Sequence, residues 1–497
     1  MNAVNLINKI QTAIVYGEPL ENKQIESLVH DTRQVSANSC FIAIRGERFD
    51  GHQAIEAVVA AGATVVIVEE LQESWLQLPV SIVVVRSTFR AQAMLANAFY
   101  GEPSTKLNVV AITGTNGKTT TSSMISEWLM TLNRKTGLLG TLHYKVDQTY
   151  YPAVNTTPNA LELQRLFNEM VEVGCDDAII EASSHALQLG RLWYTDVDCA
   201  IFTNLTREHL DFHHTMQEYA FAKSLLFAQL GQQFHNGKPK VAIVNADDPY
   251  SHIMTQATAA EIVTYSTQHT NATVYATDIQ MKQHHMTFIL HDRDKEYDIS
   301  LKMIGEYNVL NYLAAYCCLA YYYQIEPLQI IAAADKFNGV MGRTQIVDCQ
   351  QPFQVVVDFA HTPDAIENVL STVSSNKKGK LITLIGHSGG NRDSGARPEI
   401  GDIVFQYSDY IVFTADNPRH EPVQKICKEL IGEHTEKDYV IIEDRIKAIH
   451  YALSIAQPND SVVFAGKGGE SYQVIGDEYV PFNEVEIIEH YLQKEKQ

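Results

Sequence analysis

Short apolar runs, each closed by a polar residue, recur along the chain and alternate with stretches of helical spacing. In residues 1 to about 104 the runs "TVVIVEE" and "SIVVVRS" alternate with helical patterns such as "HQAIEAVVAAGA". The segment "YGEPSTKLN", Tyr100 to Asn108, carries Gly, Pro and Ser and predicts a linker. A second block opens at Val109 with "VVAIT", "DAIIEA", "CAIFTN" and "VAIVNA" and runs to about residue 340. Such runs with helical intervals predict a parallel sheet with crossover helices. Ligands in such sheets sit at the carboxyl ends of the strands, so Thr113, Glu181, Asn204 and Asn245 stand where chemistry is expected. A third block repeats the alternation in "FQVVVDFAH", "LITLIGHS", "YIVFTADNP", "YVIIED" and "SVVFAGKGG", which predicts a second sheet of the same kind.

Composition narrows the partners. The formal net charge of the 497 residues is -21. Nucleic-acid binding is not expected, because phosphate contacts need clustered Lys and Arg. A small anion remains admissible if local cations and backbone N–H groups hold it. The seven cysteines show no C-x-x-C or His-partnered spacing and read as small buried thiols of a reducing cytosol. No run of about 18 apolar residues exists, and the N-terminus lacks a basic start with a long apolar core. Neither membrane insertion nor a signal peptide is expected.

The strongest chemical signal is "VVAITGTNGKTTTSSM", Val109 to Met124. A strand pattern runs into Gly114, Thr115, Asn116, Gly117, Lys118, Thr119 and Thr120, and helical spacing follows at Met124, Ile125, Trp128, Leu129 and Leu132. Glycines let successive N–H groups point inward at a helix N-terminus, Lys118 can neutralise phosphate, and Thr119 can ligate Mg²⁺. The general phosphate-loop pattern, however, needs a glycine where this chain has Ile112.

"TGTNGKTT" resembles the loop of the Mur ligase superfamily, ATP-dependent enzymes that build the peptidoglycan stem peptide, with folylpolyglutamate synthetases as relatives. Further strings resemble that family in order along nearly the whole chain. "EASSH" implies a Mg²⁺ ligand at Glu181. "FTNLTREHLDFHHTMQEYAFAKSLLF" resembles N-[LI]-x-x-D-H-L-D-F-H-G, which implies a metal-associated His209 and a carbamoylated Lys223 holding a second Mg²⁺. Glu208 there replaces Asp, and His214 replaces Gly. "GEYNVLNYLAA" implies that Asn308 and Asn311 meet the adenine edge. "MGRTQIVD" implies that Arg343 reaches the ATP phosphates, with Gln345 replacing Glu. "DFAHTPDAIENVL" implies an ATP contact at Asp358. "HDTRQVSANSCFIAIRGERFDGHQ" resembles the uridine-binding first domain of the branch that adds the third stem residue, and implies a contact at Thr32. Asn155, Thr156, Thr157, Ser183 and Arg191 match contacts to the UDP-muramyl-dipeptide. Read as residues alone, Ser183 and Ser184 also suit a helix cap, Lys223 a solvated helix face, Asp31 to Arg33 a capped turn, and Arg419 a surface arginine in an Asn-Pro turn.

The third block implies the incoming amino acid. "DNPR", Asp416, Asn417, Pro418 and Arg419, matches the form that adds meso-diaminopimelate, where the arginine grips the distal carboxylate. "GGNRD" implies a second carboxylate contact at Arg392. "AGKGGESYQ" implies contacts at Gly466 and Glu470, the latter to the distal ammonium, with Gly469 replacing His. Ala396 and Ile400 depart from K-R-P-x-M.

The resemblance implies an α/β fold of three domains. Residues 1–104 form a smaller UDP-sugar-binding domain, 105–340 a central P-loop ATPase parallel sheet, and 341–497 a Rossmann-like amino-acid-binding sheet, with a hinge near residue 340. It implies ATP and Mg²⁺ as cofactors, an acyl-phosphate ligase mechanism, and a cytoplasmic monomer acting on small molecules. Addition of lysine or ornithine, and a divergent or non-catalytic nucleotide-sugar-binding homologue, stand as the alternatives.

Overall fold

In the computed structural model, which describes residues 1–46, 49–231, 240–282, 285–390 and 394–494, the apolar runs become three separate sheets. The first is five-stranded, in the order Ile14–Gly17, Ser81–Val84, Ala63–Val68, Ser39–Ile42, Ser27–Val29. All its pairs are parallel except that of Ile14–Gly17 with Ser81–Val84.

The central sheet has eleven strands among the described residues. Its middle is parallel, in the order Val274–Met281, Glu261–Ser266, Val241–Asn245, Cys199–Phe202, Asn108–Thr113, Asp177–Glu181, Thr136–Leu139. Val109 to Ile112 are fully buried, as expected of a strand covered by helices on both faces. The chain leaves Asn108–Thr113 in one direction and later returns on its other side. Its carboxyl end is therefore a topological switch point, where a crevice opens. Antiparallel strands extend both edges, His143–Val146 and Thr149–Pro152 on one side, Met286–Asp292 and Lys295–Leu301 on the other. None of these edge strands was expected. Polar residues interrupt all four, and only His143–Val146 is largely buried, so they lack the continuous apolar run of a covered strand.

The third sheet has six strands, in the order Gln345–Ile346, Gln354–Asp358, Ser461–Ala465, Leu381–Ile385, Tyr410–Phe413, Tyr439–Ile441, parallel except for the first. All five runs expected in this block appear in it. A separate hairpin, Tyr472–Ile475 and Glu478–Pro481, follows.

The segment expected to be a linker is a packed turn. Pro103–Lys106 forms a 3-10 helix with Pro103 and Ser104 buried, and Ser104 Oγ accepts from the Asp196 amide. Six cysteines are buried and Cys349 is half-buried, all as free thiols. Among the described residues, no helix is long and apolar enough to cross a membrane.

Candidate active site

Ile112, at the place of the absent glycine, is a core strand residue paired with Glu181 and Ile201. The loop itself begins at Gly114, where an added Cβ would lie 1.8 Å from Thr203 Oγ1. Gly117, at φ +86°, precedes the helix Lys118–Thr131. Asn204 anchors the loop: its carbonyl accepts from the Thr115 amide (2.8 Å) and its Oδ1 from the Asn116 amide (2.9 Å). A fourteen-residue helix thus presents its N-terminus to a glycine-lined crevice, a geometry that attracts phosphate.

Two lysines meet at this loop. Lys118 Nζ donates to the carbonyls of Gly114 (2.9 Å) and Thr115 (2.8 Å), and Lys223 Nζ donates to the same Gly114 carbonyl (2.8 Å). Lys223 is buried rather than solvated, over the Tyr219 ring. Burial first, and then the Lys118 charge, hold its amine well below the usual lysine range. Burial also lowers Lys118, opposed by Glu208 and Glu181.

The Glu181 carboxylate is enclosed by donors. Oε2 accepts from Thr119 Oγ1 (3.0 Å) and Thr141 Oγ1 (2.9 Å), and Oε1 from the Thr141 amide (3.1 Å). Arg343 arrives from the start of the third unit, and its Nη2 donates to Thr119 Oγ1 (3.0 Å). The Arg343 Nε has no partner among the described residues. Thr119 and Glu181 offer the hard oxygens a magnesium ion needs.

Beside them, Glu208 Oε1 lies 3.5 Å from His209 Nε2 and 3.6 Å from His361 Nε2. Burial raises the Glu208 carboxyl, but its hydrogen bond to His361 and the charges of His209, His361 and Lys118 outweigh that and hold it below the usual range. Burial pushes the His209 imidazole down to about 4 despite Glu208, so it is neutral near pH 7. His209 and His214 both have positive φ, at +57° and +62°. His214, where the family pattern has glycine, therefore keeps a glycine-like backbone. Such strain at a polar cluster fits a functional segment.

Asn308 and Asn311 are buried and linked, with Asn311 Nδ2 donating to Asn308 Oδ1 (3.0 Å) and Asn308 Nδ2 to the Ile304 carbonyl (2.8 Å). Asn311 abuts the loop, since a Cβ on Gly117 would lie 2.3 Å from its Oδ1. Asp358 accepts from the amides of Thr344 and Ala360, and burial raises its carboxyl. Gln345 keeps an acceptor where the pattern has Glu, receiving the Gly342 amide at 2.8 Å.

On the far side of Glu181, Thr157 Oγ1 donates to the Glu181 carbonyl (2.7 Å) and lies 3.2 Å from Ser183 Oγ, and Arg191 Nη1 donates to the Thr157 carbonyl (2.8 Å). Thr156 Oγ1 meets Thr141 Oγ1 (3.2 Å), and the Asn155 carbonyl accepts from Tyr144 (2.6 Å). These residues form one cluster. Thr32 stands apart in a 3-10 turn of the first unit, capped by Asp31.

A cavity of about 190 Å³ lies between the central and third sheets. Its lining includes Glu208 and His209 from one side and Asp416, Asn417, Arg419, Gly466 and Glu470 from the other. Asp416 Oδ2 accepts from Ser388 (3.0 Å) and Asn417 Nδ2 donates to Glu470 Oε2 (3.1 Å). Arg419 has φ +54° and is tied to the hairpin through its amide, which donates to the Val474 carbonyl (3.1 Å). Pro418 packs its carbonyl on Gly389. Arg392 lies outside the described residues. Gly469 has little room for the usual His: a Cβ would meet the Met341 carbonyl at 2.9 Å.

Three buried cations under this cavity escaped the sequence reading. Lys467 Nζ donates to Asn417 Oδ1 (2.9 Å) and Glu470 Oε2 (2.5 Å). Arg397 grips both oxygens of Glu421 (3.0 and 2.8 Å) and donates to the Ser388 carbonyl (3.1 Å). Arg445 pairs with Glu484 and donates to the carbonyls of Ala415 (3.1 Å) and Ala465 (2.9 Å), pinning two strand ends. Lys467 and Arg397 lie within motifs already singled out; nothing local marks Arg445.

Family models agree with this layout. Residues 24–100 match the Mur ligase family, catalytic domain; 112–319 the Mur ligase middle domain; 342–468 the Mur ligase, glutamate ligase domain. The chain is 41% identical over 470 residues to UDP-N-acetylmuramoyl-L-alanyl-D-glutamate--2,6-diaminopimelate ligase of Bacillus cereus, covering 94% of each chain. It is 43% identical over 471 residues to the protein of that name from Geobacillus kaustophilus, covering 93% of this chain and 94% of the relative. A solved structure of a ligase with this name superposes with a TM-score of 0.68 at 29% identity, covering 97% of both chains. The chain belongs to the Mur ligase family.

Proposed function

We propose that this protein is an ATP-dependent amide ligase that adds meso-2,6-diaminopimelate to UDP-N-acetylmuramoyl-L-alanyl-D-glutamate, forming ADP and phosphate. The carrying observation is the cavity, in which Arg419 and Glu470 face Glu208 and His209 across the seam between two sheets. A cation and an anion together suit a distal amino-acid zwitterion; a bare ammonium has no use for Arg419. The relatives' printed names agree with this choice. Its domains are 1–104, 105–340 and 341–497, and it works as a cytoplasmic monomer.

The substrate carboxylate attacks the γ-phosphate of ATP and gives an acyl phosphate; the α-amine of the diamino acid then displaces phosphate. Lys118 turns from the Gly114 and Thr115 carbonyls to the phosphates, and Arg343 adds a second positive charge beside Thr119. The adenine end falls to Asn308 and Asn311. The muramyl peptide falls to Thr156, Thr157, Ser183 and Arg191, with Thr32 on the uridine. Catalysis by this set is positioning and charge neutralisation. The enclosed oxygens of Thr119 and Glu181 fit Mg²⁺, with neutral His209 as a further ligand. A depressed Lys223 amine is nucleophilic enough to take up CO₂ as a carbamate, releasing a proton and supplying two more oxygens. Bound magnesium supplies neutralisation of the phosphate charge.

The test is ADP release with the UDP-muramyl-dipeptide and a panel of meso-diaminopimelate, lysine and ornithine. Stimulation by meso-diaminopimelate, lost in Arg419→Ala, is expected. Preference for lysine by the unaltered protein would overturn the assignment.

A further inference from the structure

The cavity wall from the third sheet carries two carboxylates, Asp416 and Glu470, and one cation, Arg419, with a second cation, Lys467, directly behind it. Lys467 differs from the rest because it is fully buried behind the wall and is not part of its lining. Its ammonium gathers three groups from two segments about fifty residues apart. It donates to Glu470 Oε2 at 2.5 Å and to Asn417 Oδ1 at 2.9 Å, and it stands 3.6 Å from Asp416 Oδ1. Asn417 Oδ1 also accepts the Val474 amide at 2.8 Å, which fixes the amide orientation and aims Nδ2 at Glu470 Oε2. Both bonds to Glu470 therefore fall on one oxygen, and Oε1 has no hydrogen bond among the described residues. The rings of Tyr472 and Phe482 lie 5.5 and 6.0 Å from Nζ, and the Glu484 carboxylate, paired with Arg445, is near enough to feel its charge.

The charge count follows. With Lys467 these four groups sum to zero, two negative against two positive, while His361 of the lining faces Glu208 across the seam. A neutral wall with separated signs suits a distal end that is itself zwitterionic. Without Lys467 the wall would carry a net negative charge, and a buried carboxylate pair would attract a plain ammonium. We propose that Lys467 is a positioning residue that sets specificity: it neutralises the buried carboxylates and holds Glu470 so that the cavity prefers a zwitterionic distal end to a bare ammonium. This rests on the reading of the cavity as the diamino-acid site.

The experiment measures ADP release by the full chain with meso-diaminopimelate and with L-lysine, for wild type, Lys467→Met and Lys467→Gln. Lys467→Met should raise KM for meso-diaminopimelate and shift the kcat/KM preference toward lysine by at least about tenfold, with KM for ATP unchanged. Lys467→Gln keeps a donor without the charge. It should shift the preference likewise with a smaller rise in KM, and it alone decides if Lys467→Met does not fold. A preference ratio unchanged in the folded variants, with equal losses for both amino acids, overturns the proposal and leaves the proposed function standing. A wild type stimulated by neither amino acid overturns both.

Discussion

The two ends of the site are built by different means. The phosphate end is made mostly by backbone: a strand end, two glycines and a helix N-terminus lie within the seven residues Gly114 to Thr120. The amino-acid end is made by side chains from Asp416 to Glu470 that hold one another through buried charges. Backbone sites tolerate changes in side chains that do not contact the ligand; networked sites fail when any member is lost, because the remaining partners are left buried and unpaired. The difference predicts how each end breaks.

The largest effect belongs to the lysine of the phosphate loop. Lys118→Met should lower kcat for ADP release by about 10³-fold while leaving thermal stability near wild type, since its folded-state bonds go only to loop carbonyls. If melting temperature falls as steeply as activity, the contrast between the ends is wrong. The amino-acid end should show the reverse. Arg445→Met leaves Glu484 buried without its cation, and a loss of about 3–5 kcal/mol in urea unfolding is expected. Arg419 stands outside that network, its Nε without a partner among the described residues, so Arg419→Ala is the exception: it should raise KM for the diamino acid by about 10²-fold with little change in stability.

This contrast also explains what was legible. The parallel strands and the phosphate loop could be read because each is a contiguous run with its own punctuation. Ile112 reads as a missing glycine only if the loop starts there; the strand continues to Thr113. Arg419 and Glu470 came from the resemblance alone, and physical spacing could not join positions fifty residues apart. Lys223 reads as solvated from the sequence, yet the fold buries it against Gly114. Tyr100 to Asn108 reads as a linker because its composition does not reveal what packs on it.

A smaller test concerns acid. Hydrogen bonding to Arg397 holds the Glu421 carboxyl down at about 2, against 4.5 ordinarily. A depressed carboxyl stabilises the fold above its unfolded value, and that contribution fades as pH falls from 4.5 toward about 2. The stability gap between wild type and Glu421→Gln should therefore be full near neutrality and close with acid. A gap constant with pH would mean that the pair acts by packing alone. Its size should be modest, because Glu421 is also held by the exposed Lys425.

Gly342, just before Arg343, meets Gly468 and Gly469 within the third unit. A Cβ on Gly342 would sit 1.8 Å from the Gly469 nitrogen, and one on Gly468 would sit 2.6 Å from the Gly342 carbonyl. The segment that carries Arg343 thus packs on the Gly468–Gly469 turn of the same unit with no room for even a methyl group. Clearance of that size works as a gauge, since the arrangement that brings Arg343 onto Thr119 is reachable only while no side chain occupies it. One added carbon would act as a wedge that lifts Arg343 off Thr119, and scattering from such a variant would read out whether the third unit still closes on the central one.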